Sequence, residues 1–384
     1  MKQRDVSGSE IIQFCIYFIL LIITVLNDVL GIFNLFFSAV YVTLCLYYLF
    51  ITIKVSSLVK SLALFSIAYT FCVFLSEDYD TGLNSKWGML NWTLKVILSF
   101  PPIYYFAHKN LFDNSQICWI GRILFGLAII MYYLNIQRVA SLGFIEAENI
   151  TNNMGYLFIA VLPSLFMSFR KNKWLILFDY VFVIMSLKRG AIVCSIATLP
   201  FFIYFLRYNY RRNFIKLSLS LLLFFSFGIY FTQTFFESNT YAAHRLEMTL
   251  EGNSSGRDEY INLLFVSISH FDISEVCFGK GINYSTVVLD NFAHNDWLEL
   301  FTSTGLVGCL LYLATFICVY TYTRESCTGS YRYIGYMILL ILFLRTLMSM
   351  NYYSLDSIPL YFTLGLLCNK SRQNEKSSYL YRNI

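Results

Sequence analysis

Long apolar runs, separated by short polar segments, occupy most of this chain. A helix needs about 20 apolar residues to cross the hydrocarbon core of a bilayer. The short runs at 174–187 and 358–368 have tilted or interfacial helices as alternatives. The pattern predicts an all-α, polytopic transmembrane helical bundle with about 12 spans, at residues 11–26, 29–53, 58–75, 88–107, 117–136, 154–169, 174–187, 190–206, 217–236, 298–323, 334–350 and 358–368.

One long stretch of the chain, from Glu237 to Asp296, is polar enough to lie in water. It contains His244, His270 and His294, which are three of the four histidines. Since its ionisable side chains are concentrated here, we expect the chemistry of the protein at this loop. The predicted organisation is transmembrane helices 1–9 in residues 1–236, a loop with short amphipathic helices in 237–297, helices 10–12 in 298–369 and a basic tail in 370–384.

The distribution of basic residues predicts the orientation of the chain. With the N-terminus in the cytoplasm, most of the 28 lysines and arginines fall in inner loops such as Arg170–Lys173 and Arg207–Lys216. Cytoplasmic loops carry such an excess of basic residues. Both termini are therefore predicted to be cytoplasmic, and the loop 237–297 faces outward.

Composition supports a membrane protein and excludes some other classes. The chain is 57% hydrophobic and 13% charged, whereas soluble domains carry about a quarter charged residues. The net charge of +5 does not indicate nucleic acid, because the basic residues form no continuous stripe. The ten cysteines lie mostly in apolar runs and show no CxxC or Cys/His spacing, so we predict neither disulfides nor a metal site.

Lys188 and Arg189 form the first of three candidate sites, in the run Ser186-Leu187-Lys188-Arg189-Gly190-Ala191. Two cations lie there between apolar runs on the predicted outer side, where basic residues are disfavoured. One reading is a tight turn whose cations extend to lipid headgroups. The other is an anion site, because the planar donors of a guanidinium suit phosphate.

The second candidate is Arg257, within Ser254-Ser255-Gly256-Arg257-Asp258-Glu259. Ser255 and Asp258 have capping-box spacing, and four apolar residues then follow at helical spacing, Ile261, Leu264, Phe265 and Ile268. This predicts an amphipathic helix on the membrane face, with Arg257 in its first turn. An arginine beside free backbone N–H groups makes an anion site. An exposed Arg257 paired with Glu251 or Glu259 is the alternative.

The third candidate is His294, followed by Asn295-Asp296-Trp297-Leu298. His294, Trp297, Leu298 and Phe301 would share one helical face at the mouth of the tenth span. A neutral imidazole there can act as a base near pH 7, held by Asn295 or Asp296. An interfacial histidine bonded to backbone is the alternative.

Other motifs are interpreted as structural or remain open. Gly305 and Gly308 indicate close helix packing, and Phe278-Gly279-Lys280-Gly281 indicates a turn. Charged groups within membrane spans are costly and are therefore functional candidates, here Lys95, Arg122, Asp179 and Arg345. Arg345 would face the same outer cavity, and Asp179 could neutralise one of the cations.

In this order the motifs resemble the O-antigen ligase/polymerase superfamily of bacterial envelope glycan enzymes. The resemblance covers roughly residues 150–320 and departs from the family pattern at Lys188 and at Tyr260, where tryptophan is commoner. It rests on Ser186-x-x-Arg189-Gly190-Ala191, Ser255-Gly256-Arg257, Gly279-x-Gly281, and His294-Asn295-x-x-Leu298 with Gly305-x-x-Gly308.

The resemblance implies a glycosyltransferase that uses an undecaprenyl-diphosphate-linked oligosaccharide at the outer face of the bacterial plasma membrane. It implies catalytic roles for Arg189, Arg257 and His294. We expect substrate-binding residues around them at Lys188, Asn295, Asp296 and Arg345.

No nucleotide-binding signature is present, so we expect a donor that arrives already activated, with no cofactor. The membrane lipid and a chain-length-regulating membrane protein are candidate partners. A repeat-unit polymerase is the leading hypothesis, a ligase that transfers polymer to lipid A core is the close alternative, and a lipid-linked oligosaccharide flippase is the alternative of another class.

Overall fold

A computed structural model describes residues 8–30, 35–77, 79, 85–140, 154–186, 188–210, 230 and 257–368. It contains two compact units, one formed by Met1–Ile117 with Arg257–Ile384 and the other by Cys118–Gly256. Every regular element among the described residues is a helix, which confirms the predicted all-α fold class for that part of the chain. The helices are α1 (Gly8–Leu30), α2 (Leu35–Thr52), α3 (Ser57–Leu75), α4 (Lys86–Ile97), α5 (Phe100–His108), α6 (Asn114–Ala140), α7 (Met154–Phe166), α8 (Phe169–Met185), α9 (Arg189–Asn209), α10 (Arg257–Ile268), α11 (Ile273–Phe278), α12 (Tyr284–Leu289), α13 (Asp296–Ser326), α14 (Gly329–Met348) and α15 (Ile358–Leu366), with a 3-10 turn at Leu355–Ser357.

Six of the described helices are long and apolar enough to cross a membrane, and two shorter apolar helices accompany them. Large apolar side chains such as Phe50 and Ile67 are exposed on these helices, as contact with lipid requires. The chain is therefore a multi-pass membrane protein. The six are Gly8–Leu26, Ser57–Leu75, Asn114–Gln137, Arg189–Asn209, Asp296–Ser326 and Gly329–Met348, and the shorter two are Phe36–Thr52 and Met154–Phe166.

The span predicted at 88–107 consists of two helices, because α4 ends at Ile97 and α5 begins at Phe100. The pair Pro101-Pro102 explains the break, since proline lacks an N–H and is best accommodated in the first turn of a helix, where it lies here. The carbonyl of Ser99 at the break accepts a hydrogen bond from the hydroxyl of Tyr17 in α1, at 2.8 Å. A side chain of another helix thus satisfies a backbone group that the break releases.

A second break divides α13 at Gly305, whose φ of 63° and ψ of −160° are not helical. The residues before it form a short helix that begins at Asp296, and the residues after it form the membrane-crossing part. The break falls inside the predicted tenth span, 298–323, and sets its first residues, next to His294, apart from the rest.

The second unit is built from α7, α8, α9 and most of α6. Phe158 of α7 and Phe182 of α8 stack with ring centroids 4.9 Å apart. The hydroxyls of Tyr180 in α8 and Thr198 in α9 lie 2.9 Å apart and share a hydrogen bond. Bulky aromatic packing is thus a main contact type in this unit.

Only the second part of the predicted outward loop belongs to the described residues. From Arg257 onward it contains the short helices α10, α11 and α12, which agrees with the short helices predicted there. Residues 237–256, with His244 and the predicted capping serine Ser255, lie outside the described residues. The span predicted at 217–236 also lies outside them, apart from Tyr230.

Candidate functional site

His294 lies immediately before the N-terminus of α13 and not on its helical face, contrary to the expectation from the sequence. The helix begins at Asp296, and Asn295 is its N-cap. The Asn295 side-chain oxygen accepts from the N–H groups of Trp297 and Leu298, at 3.0 and 3.2 Å. His294 has a left-handed backbone, with φ of 53°, and its side chain is partly exposed. The cap therefore leaves the imidazole outside the helix, next to its N-terminus.

Glu299, which the sequence analysis did not select, holds the residue before His294. Its Oε1 accepts from the Ala293 N–H at 2.5 Å, and its Oε2 accepts from the Ser285 hydroxyl at 2.6 Å. Glu299 is only 2% exposed. The sequence did contain a signal for Glu299, namely an acidic residue in the first turns of an apolar span. Burial of such a group is unfavourable unless it is hydrogen-bonded, so its position indicates specific partners.

Arg257 lies in the first turn of α10, as the sequence predicted, and it binds the C-terminal end of α14. Its Nη1 donates to the Met348 carbonyl at 3.1 Å. The last carbonyls of a helix carry partial negative charge, so a guanidinium is favourable there. Among the described residues this carbonyl is the hydrogen-bond partner of the Arg257 guanidinium.

The same end of α14 also receives side chains from the segment after His294. Asn295 Nδ2 lies 3.5 Å from the Leu347 carbonyl, at the outer limit of a hydrogen bond. The Trp297 indole N–H donates to the Thr346 hydroxyl at 3.0 Å. Because Leu347 and Met348 are consecutive residues, the contacts bring Arg257 and the His294–Asn295 segment into one neighbourhood.

A small apolar cluster joins α10 to the loop that carries His294. Leu264 is fully buried against Leu289 and Ala293. The partly buried residues packed against this cluster are Tyr260, Ile268, Val288 and Leu298. Phe265, one of the apolar residues predicted to face the membrane, lies outside this cluster and is 57% exposed. The buried face is instead Tyr260, Leu264 and Ile268, spaced four residues apart.

Asp296 and Arg345 lie in the interior, where each binds another part of the chain. The Asp296 carboxylate accepts from the Tyr312 hydroxyl at 2.7 Å and from the Asn351 N–H at 2.8 Å. Arg345 forms an ion pair with Asp356 at 2.6 Å, and its side chain is fully buried. These contacts support a positioning role for both residues, and the substrate-binding roles expected from the sequence stay predictions.

Two glycines allow α11 to approach α13 at the break in the latter. A Cβ on Gly279 would lie 2.5 Å from the Ser303 carbonyl carbon and the Thr304 nitrogen. A Cβ on Gly305 would overlap the backbone of Cys277 and Phe278. The Lys280 N–H also donates to the Thr302 carbonyl at 2.8 Å. The Gly-x-Gly sequence thus forms a turn, as predicted, and that turn packs on the break in α13.

Lys188 and Arg189 belong to the second unit, where Lys188 is the N-cap residue and Arg189 the first residue of α9. Lys188 is 8% exposed, with its ammonium 5.7 Å from the centre of the Tyr156 ring. Arg189 thus begins α9 as Arg257 begins α10. Each guanidinium adjoins a helix first turn whose N–H groups can bind an anion.

The charged residues predicted within spans have different environments. Arg122 donates from Nε to the Asn172 side-chain oxygen at 3.1 Å. Lys95 is 2% exposed in α4. The Asp179 carboxylate is fully buried and accepts no hydrogen bond among the described residues, so its expected pairing with a cation stays a prediction.

The described part of the first unit places the Arg257 guanidinium and the segment that carries the partly exposed His294 imidazole at the same end of α14. No group of three or more His, Cys, Asp or Glu side chains within the described ranges is placed to hold a metal ion. A guanidinium can bind an anionic group, and an imidazole can accept or donate a proton near pH 7. The chain matches no protein-family model and no curated protein.

Proposed function

We propose that this protein polymerises undecaprenyl-diphosphate-linked oligosaccharide repeat units into a surface polysaccharide, such as O-antigen or capsule. The substrate class comes from the sequence resemblance. The observation that carries the chemistry is the convergence of Arg257 and the His294–Asn295 segment on the last two residues of α14. In this proposal the chain has twelve spans, the loop 237–297 lies outside the plasma membrane, and both termini are cytoplasmic.

In the proposed reaction, a hydroxyl of the acceptor sugar attacks the anomeric carbon of the donor glycan. The bond from that carbon to the diphosphate oxygen breaks, and its electron pair leaves on undecaprenyl diphosphate. His294 accepts the proton of the attacking hydroxyl and later releases it to water. The products are a glycan longer by one repeat unit and the free lipid diphosphate.

Arg257 would bind the diphosphate and stabilise the negative charge that develops as it leaves. Its helix adds the N–H groups of its first turn, which favour an anion at the same place. Arg189, at the start of α9, is the second proposed diphosphate ligand by the resemblance. Because the diphosphate is already a good leaving group, the step needs no nucleotide sugar.

The test uses the full chain in liposomes, with a synthetic undecaprenyl-diphosphate-linked repeat unit supplied from outside and product length read on a gel. We expect His294→Ala to lower the rate about 10²- to 10⁴-fold, the range for loss of a general base. Arg257→Ala should lower it about 10²- to 10³-fold, as for loss of one charge-stabilising donor.

Matched controls lie in the same chain. His270→Ala changes an exposed histidine at the end of α10, and Arg324→Ala changes an exposed arginine at the opposite end of α13 from His294. Both should retain full activity. Undiminished polymer formation by His294→Ala and Arg257→Ala would exclude the proposed mechanism.

Deletion of the protein in cells separates the competing functions. Loss of a polymerase leaves single repeat units on the acceptor, whereas loss of a ligase leaves long chains on the lipid carrier. Loss of a transporter leaves lipid-linked units on the inner face of the membrane. Either of the last two results would contradict the proposed function.

A further inference from the structure

Glu299 is a buried acid whose two oxygens bind two different parts of the chain next to His294. We propose that Glu299 is the positioning residue for His294, and that it fixes the imidazole by holding the backbone in front of it. The functional part of this inference rests on the proposed role of His294 as a base. The positioning itself can be measured without any assay of activity.

The geometry of the Glu299 carboxylate carries the first step. Ala293 lies six residues before Glu299 and Ser285 lies fourteen residues before it, and both donate to the carboxylate. Ser285 belongs to α12, and Ala293 lies in the loop between α12 and α13. One side chain of α13 therefore ties together the helix and the loop that lead to His294.

The backbone of His294 carries the second step. Its φ of 53° is uncommon for a residue with a Cβ. Such a conformation persists where the surrounding structure determines it by several contacts. On one side the bond from Ala293 to Glu299 holds the chain, and on the other side the Asn295 cap holds it. Glu299 therefore supplies the contact that holds the chain immediately before His294.

Burial excludes a direct role for Glu299 in the chemistry. The side chain is 2% exposed, and both oxygens already accept hydrogen bonds from the protein. A substrate hydroxyl would have to displace Ser285 or the Ala293 amide to reach it. Its effect on the reaction therefore passes through the backbone of residues 293–295 to the position of the imidazole.

Three substitutions separate the hydrogen bonds from the charge. Glu299→Leu keeps a similar side-chain volume but removes the acceptor, so the buried Ala293 N–H loses its hydrogen bond. Glu299→Gln retains both contacts, because its oxygen can accept from Ala293 and its amide can donate to the Ser285 oxygen. Ser285→Ala removes only the contact to α12.

Steady-state kinetics in the liposome assay give the first measurement. We expect Glu299→Leu to lower kcat about 100-fold, because a misplacement of about 1 Å can have that effect. KM should change little, since the diphosphate ligands are untouched. Ser285→Ala should lower kcat roughly tenfold, about the effect of one hydrogen bond, and Glu299→Gln should stay within roughly fivefold of the unaltered protein.

Chemical modification of His294 gives a second measurement that needs no turnover. Diethyl pyrocarbonate carbethoxylates exposed imidazoles, and mass spectrometry reads the extent at His294 and at His270 in the same sample. His270 is an exposed internal reference, because its contact to the Val266 carbonyl lies within α10 and its following turn. We expect Glu299→Leu to change the ratio of the two modification rates several-fold, and Glu299→Gln to leave it unchanged.

The outcomes distinguish this inference from the proposed function. An unchanged kcat and an unchanged modification ratio in Glu299→Leu would overturn the positioning role. Equal losses in Glu299→Gln and Glu299→Leu would also overturn it, since charge and not hydrogen bonding would then be decisive. A changed ratio together with an active His294→Ala would uphold the positioning and refute the catalytic role. If Glu299→Leu does not fold, Ser285→Ala decides by the same two measurements. The control is Glu325→Leu, at an exposed position near the end of α13.

Discussion

Replacing Gly305 by alanine tests whether the N-terminal part of α13 depends on a contact that only glycine allows. Two separate effects oppose the substitution. The backbone at φ 63° and ψ −160° lies in a region that is nearly restricted to glycine, and a residue held there costs about 1–3 kcal/mol. The added Cβ would also overlap the backbone of α11 at Cys277 and Phe278.

The overlap adds a similar amount to the backbone term. Forcing one extra methyl group into a packed interior costs about 1–3 kcal/mol, and here the opposing atoms are backbone and cannot rotate away. The sum predicts a loss of about 2–6 kcal/mol in the free energy of unfolding. Gly279→Ala should have an effect of the same kind, because its own φ is 76° and its added Cβ would meet Ser303 and Thr304.

Two other glycines serve as controls for the separate effects. Gly329 has a φ of 54° but no atom within 4 Å of an added Cβ, so Gly329→Ala measures the backbone effect alone, about 1–2 kcal/mol. Gly126 lies within α6, also with open space at the Cβ position. Gly126→Ala should stabilise the protein by about 0.5–1 kcal/mol, as alanine does within a helix.

The measurement is the free energy of unfolding of the purified protein in bicelles, followed by tryptophan fluorescence during titration with sodium dodecyl sulfate. A Gly305→Ala protein that loses no more stability than Gly329→Ala would refute the contact between α11 and α13. A matching activity assay well below the unfolding transition should show reduced polymer formation. The reason is that the break orients the short helix that follows His294.

Two further predictions concern side chains that hold the first unit together. Arg345→Met and Asp356→Asn each break the buried ion pair, and each should lower the free energy of unfolding by about 3–5 kcal/mol. The double variant should lose less than the sum of these two losses. A strictly additive double-mutant cycle would contradict the pairing. Asp272 caps α11 through a reciprocal bond with Glu275, and the bonds from the Glu275 N–H and from Ser274 lower the pKa of the Asp272 carboxyl. Because the pKa of Asp272 is lowered in the folded protein, the cap stabilises α11 fully above the usual pKa of Asp. That stabilisation is lost as the pH falls through the lowered pKa. Hydrogen exchange of the α11 amides should therefore accelerate in acid in the unaltered protein, and Asp272→Asn should abolish that dependence while keeping the cap.

Some features of the candidate site were predictable because they depend on local sequence. The helix α10, with Arg257 in its first turn, followed from the helical spacing of its apolar residues, and the turn at Gly279 and Gly281 followed from glycine's backbone freedom. The residues that pack under α10 were only partly predictable. Leu264 and Ile268 are on the buried face, but Phe265 is exposed, because the position of Leu289 and Ala293 decides which side of the helix is covered.

Other features depended on partners that are distant in the sequence. Asp296 binds the Asn351 amide 55 residues away, and Arg257 binds the Met348 carbonyl 91 residues away. No spacing rule connects such positions, so the sequence suggested substrate contacts for Asp296 and Arg345 where the structure places interior bonds. Glu299 escaped selection for the same reason, since its importance follows from its bonds to Ser285 and Ala293.

The amino-acid sequence by itself determined that this chain is a helical membrane protein. The reason is physical and local, since an apolar run near 20 residues long must satisfy its backbone hydrogen bonds internally in lipid, which a helix does. Tertiary structure alone decided where α13 breaks and where His294 lies relative to that helix. Those outcomes depend on steric contact at Gly305 and on hydrogen bonds to Glu299 and Asn295, and such contacts exist only once the distant segments have packed.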